Sequence, residues 1–159
     1  QLRDLTWKPV CQRGQWIQAR CGFSEMDIVR NLSHLAKTVL DPLAKKFGGS
    51  TWQGGRLQIT SGFRQNSSCN SWHSKGCAVD IQVVGLHAGG FYDLAVECKT
   101  LLTGFDHILL EYAPGRTNRP WLDLGARRDA ARGKCQTFYN DRPHQQGRDK
   151  FVNLGYTYK

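Results

Sequence analysis

The chain has 159 residues, 22 Lys and Arg against 13 Asp and Glu, and a formal net charge of +9 at neutral pH. Its length suits one domain with a core of its own, and no stretch approaches the roughly 18 consecutive apolar residues of a membrane helix. The positive excess favours polyanionic surroundings such as nucleic acid, anionic lipid or cell-wall polymer, but no nucleic-acid-binding module pattern accompanies it, so no specific nucleic-acid partner is expected.

The first 22 residues, ending in CQRGQWIQARCG, have no periodicity and read as an irregular strap. They contain no basic stretch followed by an apolar run, so no secretory leader is expected, and a start at Gln1 without an initiator methionine suits either a processed product or a trimmed chain. SEMDIVRNLSHLAKTVLDPLAKKFGG follows, with apolar residues at three- and four-residue steps from Val29 to Leu43, which predicts a helix. Ser24 suits its N-cap, Glu25 and Asp27 complement its first turn, and Gly48–Gly49 make a stop. Pro42 either kinks this helix or begins a second turn.

GRLQITSGFR alternates as a strand does, AVDIQVV reads as a second strand, and GGFYDLAVECKTLLTG reads as a second helix. FDHILLEY and WLDLGAR are the third and fourth strands, separated by the loop APGRTNRP, and FVNLGYTY is placed at an edge. His87, in GLHAGG, reads as solvent-exposed on a glycine-rich turn. The expected class is α+β, with helices packed on one face of a mostly antiparallel sheet. The expected division is a strap over 1–22, a core over 23–125 and a basic extension over 126–159, all one domain. From Arg116 to Lys159, ten basic side chains stand against four aspartates.

The six cysteines show no CxxC pair, which argues against a cysteine zinc site. If disulfides form, Cys11–Cys21 and Cys69–Cys77 close the shortest loops; otherwise the thiols serve as small buried apolar groups.

One stretch carries chemistry. In NSWHSKGCAVD, His73 precedes Asp80 by seven residues, with Gly76 permitting a tight turn and Ala78 keeping the approach uncrowded. An imidazole nitrogen and a carboxylate oxygen are both zinc donors, and a hydrolytic zinc site uses three protein ligands and leaves one position open. By itself the pair is a weak signal and reads more readily as two polar residues on a loop. The pattern SxHxxGxAxD, however, is met at every fixed position by Ser71, His73, Gly76, Ala78 and Asp80. ITSGFRQN precedes it with Arg64, and FDHILLEY follows with Glu111.

On these residues the chain resembles the zinc D-Ala-D-Ala carboxypeptidases, a family that shares its metal-site fold with the Hedgehog signalling domain. The similarity runs from about Leu35 to Leu124 and is nearest the phage-encoded branch, which often reads FDQLILE in the third strand. The resemblance implies a Hedgehog/DD-peptidase-like fold and Zn2+ held by His73, Asp80 and a third ligand. Glu111 is implied as general base, and Arg64 as the partner of the substrate carboxylate and polarised carbonyl. Ser71 and Trp72 lie on the substrate side, Trp72 as a cleft wall or as a packed aromatic.

The family's third ligand is a histidine in a Trp–x–His strand. Here WLDLG keeps Trp121 and puts Asp123 in that place. Three outcomes follow: Asp123 ligates; His107 or His144 steps in; or no metal is held and only the architecture survives. A second carboxylate offsets more of the zinc charge, so coordinated water is acidified less. The expected enzyme is therefore slower, with a more alkaline optimum. Its implied partner is the peptidoglycan stem peptide, in the setting of a phage lysin or virion-associated hydrolase acting on the cell wall. The alternative is a phage tail or baseplate protein that carries an inactive domain of this kind and contacts other virion proteins.

Overall fold

The computed structural model describes residues 17–47, 56–84, 86, 88–113, 120–140, 142–145 and 150–154. The strap up to residue 16, with Cys11, lies outside them, as do His87, most of APGRTNRP and the end of FVNLGYTY.

The first helical segment begins where its capping chemistry dictates. Ser24 is the N-cap of helix α1 (Glu25–Leu35); its hydroxyl accepts the Asp27 amide, and the Asp27 carboxylate accepts the Ser24 amide, a reciprocal capping box. Ile28, Leu32 and Leu35 carry the buried face. The segment does not run on as one α-helix. Residues Ala36–Leu40 form a π-helical turn, and α2 (Asp41–Phe47) follows. Pro42 gives the reason: it has no N–H for the carbonyl four residues back, and its ring crowds that carbonyl. The Asp41 amide reaches Ala36 O, five residues back, and the widened turn absorbs the mismatch.

The strands are β1 (Arg56–Ser61), β2 (Ala78–Val84), β3 (His107–Tyr112), β4 (Trp121–Gly125), β5 (Lys134–Tyr139) and β6 (Arg142–Pro143), and α3 (Ala88–Leu101) joins β2 to β3. They form one sheet in the order β1-β2-β4-β3-β5-β6. Every pairing is antiparallel except β3–β5, so the sheet is mixed and the class is α+β. β5 and β6 come from the basic stretch between WLDLGAR and FVNLGYTY, where the sequence reading placed no strand. KCQTFY lacks clean alternation because its centre, Cys135 to Thr137, is buried throughout. Residues 151–154, expected at an edge, carry no strand; instead the Val152 amide donates to Thr137 Oγ1 (2.7 Å).

Alternate β3 residues Ile108, Leu110 and Tyr112 join the same apolar cluster as Leu32 of α1 and Leu94 of α3. His107, Leu109 and Glu111 have the opposite parity. No helix among the described residues is long and apolar enough to cross a membrane.

The cysteine pairing differs from the shortest-loop expectation. Cys21 bonds Cys69, 48 residues apart, while Cys77 and Cys98 are free and buried, and Cys135 is buried as well. Cys11–Cys21 and Cys69–Cys77 are thereby excluded. Residues 18–21 run alongside the loop before the motif: Arg20 donates to Ser67 O (2.5 Å), and the Gln18 amide to Gln65 Oε1 (3.4 Å).

Candidate metal centre

The motif residues split between a turn and a strand. Trp72–Lys75 form a 3₁₀ turn whose N-cap is Ser71, which accepts the His73 amide at 3.3 Å. Gly76 ends the turn at φ 72°, and a Cβ there would stand 2.9 Å from Ile28 O. The chain can thus reverse tightly against α1 only with glycine. Asn31 of α1 secures the turn by donating to Lys75 O (2.9 Å). His73 is buried, and its Nδ1 donates to Gly62 O at 2.8 Å, which leaves Nε2 facing the site.

Asp80 and Asp123 are register partners across β2 and β4, so their side chains rise from adjacent points on one face. His73 Nε2 lies 3.3 Å from Asp80 Oδ1 and 3.7 Å from Asp123 Oδ1. One donor atom from each of the three falls within 4.8 Å of the others. Two donors bonded at about 2.1 Å to a tetrahedral zinc are about 3.4 Å apart. The spacing and the nitrogen–oxygen donor set therefore fit one small divalent cation.

Each donor residue has a further hydrogen-bond partner beyond the cluster. Asp80 Oδ2 accepts from Arg64, whose Nε also donates to Ser61 Oγ (2.7 Å). Asp123 Oδ1 accepts from His107 Nε2 at 3.2 Å, and His107 Nδ1 donates to Asp106 Oδ2 at 2.9 Å. Asp106 is fully buried and held by Arg132 through Nε (2.8 Å) and a terminal nitrogen (2.5 Å). Arg127 stands 3.9 Å from the same carboxylate.

Burial alone would lower the His73 pKa, but hydrogen bonds with Asp123 and Asp80 outweigh it and push it up to about 10. Burial likewise opposes the His107 charge, and Asp106 and Asp123 raise its pKa to about 9. Burial would raise both carboxyls, yet Asp123 is held well below the usual range by His107 and His73, and Asp106 by His107 and Arg132.

Of the alternatives for the third ligand, His107 sits one step out, bonded to Asp123 rather than sharing the donor cluster. His144 follows β6 at the far sheet edge, where its amide bonds Thr137 O. Glu111 pairs with Trp121, two positions along from the Leu109–Asp123 pair. It is therefore a same-face diagonal neighbour of Asp123, across a ladder diagonal of about 7–8 Å. Ser71 shapes the turn that carries His73. The Trp72 ring packs under the cations of Lys75 (4.2 Å) and Arg127 (4.5 Å), beside the motif. Asp106 and Arg132 were not singled out in the sequence; an acid beside a histidine in FDH is the only signal they leave.

No model of a known protein family matches the chain, and no curated protein or solved structure matches it either.

Proposed function

We propose that the protein is a zinc-dependent peptidoglycan peptidase of the D-Ala-D-Ala carboxypeptidase or endopeptidase type, a phage lysin or virion-associated wall hydrolase. One observation carries the reading: His73, Asp80 and Asp123 bring one donor atom each within 4.8 Å, in the chain order the motif requires. We read the fold as Hedgehog/DD-peptidase-like, with the helices on one face of the sheet and the site on the other.

His73 Nε2 and the carboxylates of Asp80 and Asp123 would hold the ion. When bound, zinc supplies a Lewis acid for the scissile carbonyl and makes water more acidic. Glu111 takes the proton of the attacking water and returns it to the departing amine, so its carboxylate is regenerated each turnover. Arg64, with its side chain 40% exposed, keeps Asp80 oriented and presents its guanidinium to a substrate carboxylate. The charge of +9 concentrates the protein on anionic wall polymer. The Cys21–Cys69 disulfide accords with a place of action outside a reducing cytosol.

A second reading rests on the same site. Arg64 and His107 already neutralise the two aspartates, as they would in an inactive domain retained by a tail or baseplate protein. Metal analysis separates the two. The enzyme reading expects one zinc per chain, release of stem-peptide fragments from purified peptidoglycan, an emptied site in Asp123→Ala and a filled one in Asp123→His. A chain that takes up no zinc at micromolar concentrations leaves the structural reading.

A further inference from the structure

We infer that His107, backed by Asp106 and Arg132, is a positioning residue that holds Asp123 in the orientation needed to ligate a metal. The inference rests on the reading of His73, Asp80 and Asp123 as a metal centre and deepens it.

A carboxylate on a short side chain rotates about its last bond, and a ligand that must be stilled on binding loses affinity for that reason. Here His73 is oriented by Gly62 O and Asp80 by Arg64. Asp123 has His107, and the sheet register explains how. His107 pairs with Gly125 and Leu109 with Asp123, so His107 reaches Asp123 along the ladder diagonal. A Cβ at residue 125 would fall 2.1 Å from His107 Cε1, so the ring lies directly on the glycine backbone.

The far end is equally constrained. Asp106 is fully buried, and its backbone is stitched on both sides: its amide donates to Gly125 O (2.7 Å) and its carbonyl accepts from Lys134 (3.0 Å). Two Arg132 nitrogens fix its carboxylate, which accepts from His107 Nδ1. With a carboxylate at each ring nitrogen, both nitrogens donate. The line Arg132–Asp106–His107–Asp123 thus crosses from β5's approach through β3 to β4 and ends on a donor of the cluster. Partners behind metal ligands typically contribute ten- to a hundredfold in affinity.

The test is zinc affinity of the full chain, measured by competition with a chromophoric chelator, with folding checked by circular dichroism and melting of the metal-free protein. His107→Ala is expected to weaken zinc binding ten- to a hundredfold. His107→Gln, whose amide can still donate toward Asp123, is expected to recover most of that loss. In an Asp123→His background, which keeps a filled site, His107→Ala should produce no further change, because no carboxylate remains to be held. Equal losses in both backgrounds, or no recovery with Gln, make His107 a merely structural residue and overturn the inference. If His107→Ala does not fold, Gly125→Ala carries the same comparison by displacing the ring while removing no polar group. Failure of the metal-centre reading is distinct: the wild type then binds no zinc and Asp123→Ala changes nothing.

Discussion

Asp80 and Asp123 face each other across a β ladder, where like charges repel unless something positive stands between them. In the metal-free protein His73, Arg64 and His107 provide that charge. The sign of the resulting pH dependence follows. His73 titrates near 6.5 unfolded and is raised to about 10 when folded, so its contribution is complete below about pH 6.5 and is lost as pH climbs through 10. Melting of the metal-free protein should therefore fall between pH 7 and 10. A metal ligand must release its proton, so zinc affinity should instead rise, by about tenfold per pH unit between pH 6 and 9. Chelator competition at several pH values checks this; a flat profile means that His73 Nε2 is not a ligand. At this scale the sequence showed His73 and Asp80 through their spacing. It left Asp123, His107 and His144 open, because strand register decides which of them face the same point.

The turn carrying His73 is built as an element. Ser71 caps it, Gly76 closes it and α1 supports it through Ile28 and Asn31. Gly76→Ala would force a left-handed conformation costing about 1–2 kcal/mol and push a Cβ against the Ile28 carbonyl. The expected outcome is a lower melting temperature together with weaker zinc binding, since His73 moves with the turn. Ser24→Ala is the contrasting case. It removes the α1 cap at a cost of about 1 kcal/mol, and zinc affinity of the folded protein should stay unchanged. Melting and chelator competition on the two variants distinguish support of the site from support of the fold. The helix start was readable in sequence because a cap is local chemistry. The π-helical turn before Pro42 was not, since a proline in an apolar-periodic stretch permits a kink, a break or a new turn, and packing chooses among them.

Across the whole molecule, the Cys21–Cys69 bond ties the strap to the loop four residues before His73. Closing a loop with a sequence separation of 48 contributes about 4 kcal/mol in the chain-entropy description. Reduction, or Cys21→Ser with Cys69→Ser, should lower the melting temperature and also weaken zinc binding, because loop 62–71 holds Arg64 and leads into His73. Unchanged zinc affinity in the reduced, folded protein would show that α1 suffices to hold the turn. The sequence could count the cysteines but not pair them. Loop length favours near neighbours, whereas the bond that forms depends on which Cα atoms the fold brings together, here 5.2 Å apart.

What the amino-acid order determined alone is what acts over a few residues: the capped helix, β2 from Ala78 to Val84, β3 from His107 to Tyr112, and the motif with its obligatory glycine. Tertiary structure decided which side chain meets His73 and Asp80, the arginine–aspartate–histidine line behind it, the parallel strand from the basic stretch and the disulfide partner. Each of these is a meeting of residues distant in sequence, set by strand register and by where the chain returns. Local patterning carries no term for either.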